Sequence, residues 1–122
     1  MSDAAERFAR GVEAFKANDL DKAIEELEAA THENRDNYKA FCYLGAAYAA
    51  KQRYNAAVGA FKIAEQIAPG IASIHYNIAQ AYEADGVDGE AEYEYEKALK
   101  INPDYAIARQ ALARLKQRLD HV

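Results

Sequence analysis

The chain has 122 residues, of which 51% are hydrophobic and 29% charged, and its formal net charge is −5. That is the length of one ordinary domain, and the composition excludes a disordered tail. Twenty acidic residues against 15 basic ones argue against a nucleic-acid partner, whose phosphates call for a basic stripe that displaces counterions.

In chain order, the apolar spacing predicts helices over about 3–17 and 20–33, parted by the turn "ANDLD" with its Asn18-Asp19 dipeptide. A second pair is predicted over 38–51 and 55–68, broken at "KQRYN" and stopped by Pro69-Gly70. A third pair, 72–85 and 89–101, breaks at "DGVDG" and stops at Asn102-Pro103-Asp104. Within it "EAEYEYE" (90–96) alternates charged and uncharged residues as a half-buried strand would. Ala91, Tyr95 and Ala98 are nevertheless spaced by four and three, which puts them on one helical face. The helix is the expected outcome, with Glu90, Glu92, Glu94 and Glu96 as a solvated face rather than a calcium or basic-partner site. Residues 106–122 form a last helix, with Ala108, Leu112, Leu115 and Leu119 facing one way and Arg109, Arg114 and Arg118 on the outside. A pairing of Glu92, which departs from the apolar Ile24 and Val58 at its equivalent positions, with an arginine of this last helix such as Arg109 is expected.

The chain repeats itself. Pro69 and Pro103, its only prolines, are 34 residues apart. The same shift superposes Ala47 on Ala81, Tyr48 on Tyr82, Ala50 on Ala84, Ala57 on Ala91, Ala64 on Ala98 and Ile67 on Ile101, and one further step brings in Gly11, Ala23 and Ala30. Phe41, Leu44, Gly45 and Tyr48 make one helical stripe, and Ala57, Phe61, Ala64 and Ile67 make another. The small residues let two helices approach, and the aromatics fill the space between them. Neither helix can bury its stripe alone, so pairs stack on pairs.

These residues resemble the tetratricopeptide repeat (TPR) family. Phe41, Leu44, Gly45, Tyr48, Ala57, Phe61, Ala64 and Pro69 match its pattern throughout the middle repeat. Ile78, Ala79, Tyr82, Ala91, Tyr95, Ala98 and Pro103 keep it in the third, where His75 takes the first aromatic position. The first repeat is weaker: Gly11, Ala23, Leu27 and Ala30 fit, but Arg7, Arg10 and Arg35 do not. The resemblance implies an all-α fold of three helix-turn-helix repeats (about 4–37, 38–71 and 72–105) and a capping helix, stacked as a right-handed superhelical solenoid in a single domain over 1–122.

It also implies a non-enzymatic protein-interaction module. A concave groove would be lined by the first helix of each repeat, on the side opposite the core stripe. In this sequence those positions hold Phe8, Val12 and Phe15; Lys39, Cys42, Tyr43, Ala46 and Ala49; and Tyr76, Asn77 and Gln80. Relatives that clamp the C-terminal carboxylate of chaperone tails place Lys, Asn and Arg at positions that here hold Phe8, Val12, Tyr43, Ser73 and Asn77, so that ligand is not expected. The apolar ridge of Phe8, Val12 and Phe15 beside the small side chains of Cys42, Ala46 and Ala49 suits an apolar or amphipathic peptide segment. Two alternatives stay open: a small chaperone for an exported or self-assembling client, and a homodimer whose copies cover each other's ridges. A one-residue slip in the first repeat, favoured by Arg7 and Arg10, would instead turn Phe8, Val12 and Phe15 into the core.

The parts for catalysis are missing. No glycine-rich phosphate loop occurs, and His32, His75 and His121 are not at metal-ligand spacing, so neither metal nor cofactor is expected. Cys42 with His75 is the one nucleophile–base pairing to weigh, and packing accounts better for both. The opening "MSDAAERFAR" has neither a basic nor an apolar run, so no signal peptide is expected; "AFCYLGAAYAA" (40–50) is too short to span a bilayer, so no membrane partner is. A single cysteine excludes an intrachain disulfide and suits a reducing, cytoplasmic setting.

Overall fold

A computed structural model describes residues 3–120; the end of the expected capping helix and His121 lie outside them. Those residues form seven helices and no strand. They are α1 (Asp3–Lys16), α2 (Leu20–Glu33), α3 (Tyr38–Ala50), α4 (Tyr54–Ile67), α5 (Ala72–Ala84), α6 (Asp88–Ile101) and α7 (Ala106–Asp120). Every boundary falls within a residue or so of the predicted one over the described range, and the alternating stretch 90–96 is helical.

The turns repeat as the helices do. Asn18, Gln52 and Gly86, each 34 residues from the next, all take a left-handed φ, at 60°, 62° and 79°. Reversing the chain in so few residues calls for that conformation between the two helices of each pair. Asp19 caps α2 by accepting from the Lys22 N–H, and Asn37 caps α3 by accepting from the Ala40 N–H. Asn34 and Asn102 each accept the N–H two residues on, from Asp36 and Asp104, closing equivalent turns after α2 and α6.

The helices gather into two compact units, one ending at Pro69 and the other beginning at Gly70. In the first, α1 packs on α2, α2 on α3 and α3 on α4. Its core joins Ala14, Ala23, Ile24, Leu27, Leu44, Ala47 and Ala60. Close approach requires the glycines here: a Cβ on Gly11 would lie 2.6 Å from Leu27 Cγ, and one on Gly45 2.7 Å from the Phe61 ring. Tyr48 of α3 donates its hydroxyl to Glu28 of α2, and Lys51 Nζ lies 3.0 Å from Asp21 Oδ1.

In the second unit α6 packs on α5 and α7 on α6. Ala79, Ala91, Tyr95, Ala111, Leu112 and Leu115 form its core. Tyr95 is fully buried, and its hydroxyl donates to Glu83 Oε1 (2.7 Å) and accepts from the Gln80 amide. As predicted, Ala108, Leu112 and Leu115 of α7 are buried, with Leu119 packed at the edge.

Two side-chain expectations are corrected. Glu94 is not on a solvated face: it is buried, with Oε1 2.8 Å from His75 Nδ1. Nor does Glu92 meet an arginine of α7. Arg109 turns back to donate to the Pro103 carbonyl and reaches Asp104 at 4.0 Å. The acidic residues of other helices that α7 does meet lie at the start of α6 and the end of α5: Arg118 grips Asp88 with both Nη atoms (3.0 and 3.2 Å) and Glu83 at 3.2 Å. The reason is reach. A long arginine side chain bonds whichever acceptors its own turn of helix faces, and for Arg118 these are Asp88 and Glu83.

Candidate peptide-binding site

In the first unit, the face of α1 away from α2 carries Phe8, Val12 and Phe15 at spacings of four and three. The face of α3 beside it presents Tyr43. The Tyr43 ring stands edge-on between two phenyl rings, its centroid 6.1 Å from Phe8 and 5.7 Å from Phe15, with interplanar angles of 65° and 75°. Edge-to-face pairs of this kind hold aromatic rings in one orientation. All four residues are half-buried. Phe8, Phe15 and Tyr43 pack against the core and stay partly exposed.

An opening of about 490 Å³ lies over them, lined by Phe8, Ala9, Val12, Glu13, Lys16, Lys39 and Tyr43. That volume is in the range of small-ligand and side-chain pockets. The first repeat is therefore in register at Phe8 and Val12, which face the opening, while Phe15 supports the Tyr43 ring from beside it. The slip that would bury them all is not adopted, because α1 turns Ala4, Gly11 and Ala14 inward. The nominal core positions Arg7 and Arg10 are tolerated because both reach Glu26 of α2, Arg7 at 3.8 Å and Arg10 through its Nε; Arg7 also approaches Glu33 at 3.5 Å.

The other residues named for this surface sit as follows. Lys39 is exposed at the rim of the opening. Cys42, Ala46 and Ala49 are half-buried on α3 and do not line it. Burial pushes the Cys42 thiol above its ordinary range, so it is not a poised nucleophile. In the second unit Tyr76 is half-buried between Tyr95 (5.9 Å) and Tyr105 (5.6 Å), a ring cluster that continues the core. Asn77 is half-buried, and exposed Gln80 spends its amide on the Tyr95 hydroxyl. A second opening of about 500 Å³ was not foreseen from the sequence. Gln80, Glu83, Asp88, Arg114 and Arg118 line it, with Ala84, Gly86 and Ala111. Its walls are ionic and largely committed to one another.

Among the described residues, no group of three or more His, Cys, Asp and Glu side chains is placed to hold a metal, and no helix is long and apolar enough to cross a membrane. His75 is tied to Glu94 in the core.

Comparison with known proteins agrees with this architecture. A tetratricopeptide repeat model matches residues 8–70, and a second tetratricopeptide repeat model matches residues 72–105. The chain belongs to the tetratricopeptide repeat family. No curated protein sequence matches it. Among solved TPR structures, it superposes on the first TPR of Spaghetti (RPAP3) bound to the HSP90 peptide SRMEEVD with a TM-score of 0.89 at 20% identity, covering 96% of this chain and 93% of that one. MamA gives a TM-score of 0.92 at 21% identity, over 96% of this chain and 68% of MamA. YrrB, described as a TPR protein with an unusual peptide-binding site, gives 0.87 at 23% identity, over 91% and 57%. At these identities the likeness establishes the fold alone.

Proposed function

We propose that this TPR protein is a non-enzymatic interaction module that binds an apolar or amphipathic peptide segment against α1 and α3. The observation that carries the proposal is the open ring cluster: Phe8 and Tyr43 are oriented by edge-to-face packing yet keep one side free beside a 490 Å³ concavity. Rigid aromatics that lose little freedom on binding are the usual anchors of a peptide interface. The peptide bound by the first RPAP3 repeat domain and the peptide-binding site of YrrB support the use of this fold for peptides. A chaperone-tail carboxylate is not the ligand we favour, since Phe8, Val12, Tyr43, Ser73 and Asn77 supply no cation at the clamp positions. The lone cysteine, Cys42, supports a reducing, cytoplasmic compartment.

The test is selection of a random peptide display library on the immobilised protein and on Tyr43→Glu. The expected outcome is enrichment of peptides with large apolar anchors on the wild type. Those peptides should bind Tyr43→Glu at least about tenfold more weakly, as loss of a central anchor does. No enrichment on a protein whose melting curve is intact would refute the reading.

A further inference from the structure

The rim of the same opening carries a charge pattern opposite to that of the protein. The chain as a whole is at −5. Yet three charged side chains line this concavity, and two of them are cations: Lys16 from the end of α1 and Lys39 from the first turn of α3, against Glu13. Among the described residues, neither lysine has an ion-pair or hydrogen-bond partner. The two arginines of α1 do not share that freedom, although Lys22 of α2, away from the opening, does. Arg7 and Arg10 are spent on Glu26, Glu33 and Glu6. Two uncommitted ammonium groups therefore flank an apolar floor made by Phe8, Val12 and Tyr43.

We infer that the partner segment is acidic as well as apolar: an aliphatic or aromatic side chain seats on the Phe8–Tyr43 floor, and Asp or Glu residues flanking it in the peptide meet Lys16 and Lys39. The inference rests on the peptide-binding reading above and names the class of peptide. Two physical points favour it. Uncommitted lysines at a rim act on encounter and selectivity more than on raw affinity, and they repel a basic segment as they attract an acidic one. The remainder of an acidic protein repels an acidic peptide, so this rim is where such a peptide would find a favourable field, directing it to one face. The ligand chemistry is side-chain carboxylate within a chain, which needs no free C-terminus.

The experiment uses the full chain, the same random peptide library, and Lys16→Glu/Lys39→Glu. Both lysines are exposed, so the variant is expected to melt as the wild type does, and circular dichroism checks this. Wild type should enrich peptides with Asp or Glu flanking the apolar anchor. The variant should lose about tenfold or more in affinity for those peptides and select Lys- or Arg-flanked ones instead. The wild-type preference should also fade as salt shortens the Debye length from about 10 Å to about 3 Å. Enrichment of apolar peptides with no acidic bias, unchanged by the double reversal, would overturn this inference while leaving the peptide-binding reading in place. Enrichment of nothing, or of peptides indifferent to Tyr43→Glu, would overturn the reading and the inference together.

Discussion

His75 and Glu94 meet inside the α5–α6 pair, Nδ1 to Oε1 at 2.8 Å, with only 8% and 7% of their surfaces exposed. Their equivalents 34 and 68 residues earlier are Phe41 with Ala60 and Arg7 with Glu26. Phe41 and Ala60 are buried apolar residues, while Arg7 and Glu26 form an ion pair at 3.8 Å. One contact between the two helices of a repeat is thus filled in complementary ways, aromatic with small in the middle repeat and polar with acidic in the outer two.

This substitution pattern is testable as a cycle. His75→Phe alone strands the Glu94 carboxylate in the core, with only Lys97 at 3.8 Å, and should cost about 3–5 kcal/mol. Glu94→Ala alone leaves an imidazole without its partner and should cost about 1–3 kcal/mol. His75→Phe/Glu94→Ala recreates the middle repeat's pair and should fall within about 1 kcal/mol of the wild type. Urea melts of the four proteins give the coupling directly; additive losses would mean that the pair does not act as a unit.

Two glycines should respond oppositely to the same change. A Cβ on Gly45 would sit 2.7 Å from the Phe61 ring, which is itself only 2% exposed and cannot swing away. Gly45→Ala should therefore lose about 1–3 kcal/mol despite its better helix propensity. Gly59, within α4, has nothing within 4 Å of its missing Cβ. Gly59→Ala should gain about 0.5–1 kcal/mol. Thermal melts followed by circular dichroism separate the two.

The repeated left-handed turn offers a third comparison. Gln52 adopts φ 62° where the third repeat uses Gly86. Gly86→Ala should cost about 1–2 kcal/mol, the penalty of a side chain in that conformation. Gln52→Gly relieves the same strain but frees the unfolded chain, so its net gain should be smaller, a few tenths up to about 1 kcal/mol. A loss of stability in Gln52→Gly would show that the turn is not strained.

Alkaline pH should expose the buried phenols. Burial, and then its hydrogen bond to Glu28, push Tyr48 up to about 12. Burial and Glu83 raise Tyr95 as well. An unfolded tyrosine ionises near 10. The folded value is the higher one, so the stabilisation is fully present below about pH 10 and is lost as pH rises toward 12. Burial, and then Tyr76, raise Tyr105 too, so the tyrosinate absorption should show Tyr48, Tyr95 and Tyr105 titrating late, together with loss of helix, and Tyr48→Phe should remove one of the late steps.

The sequence by itself determined the helices, their pairing and the family. A 34-residue period with small residues at Ala57, Ala64, Ala91 and Ala98 admits only close-packed helix pairs, and spacings of three and four outweigh the alternation at 90–96. A complementary signal was also legible and is easily passed over: each residue departing from the aromatic position, Arg7 and His75, is matched by a glutamate 19 residues later, Glu26 and Glu94. What only the tertiary structure decided was depth and reach. Periodicity assigns a face but not how far a neighbouring helix covers it, so Phe8 and Val12 could be placed at the open concavity only once α3 set Tyr43 beside them. The same holds for charges: Arg118 rather than Arg109 binds the acidic residues near the α5–α6 turn, because a flexible side chain selects among acceptors by local geometry that spacing along the chain does not encode.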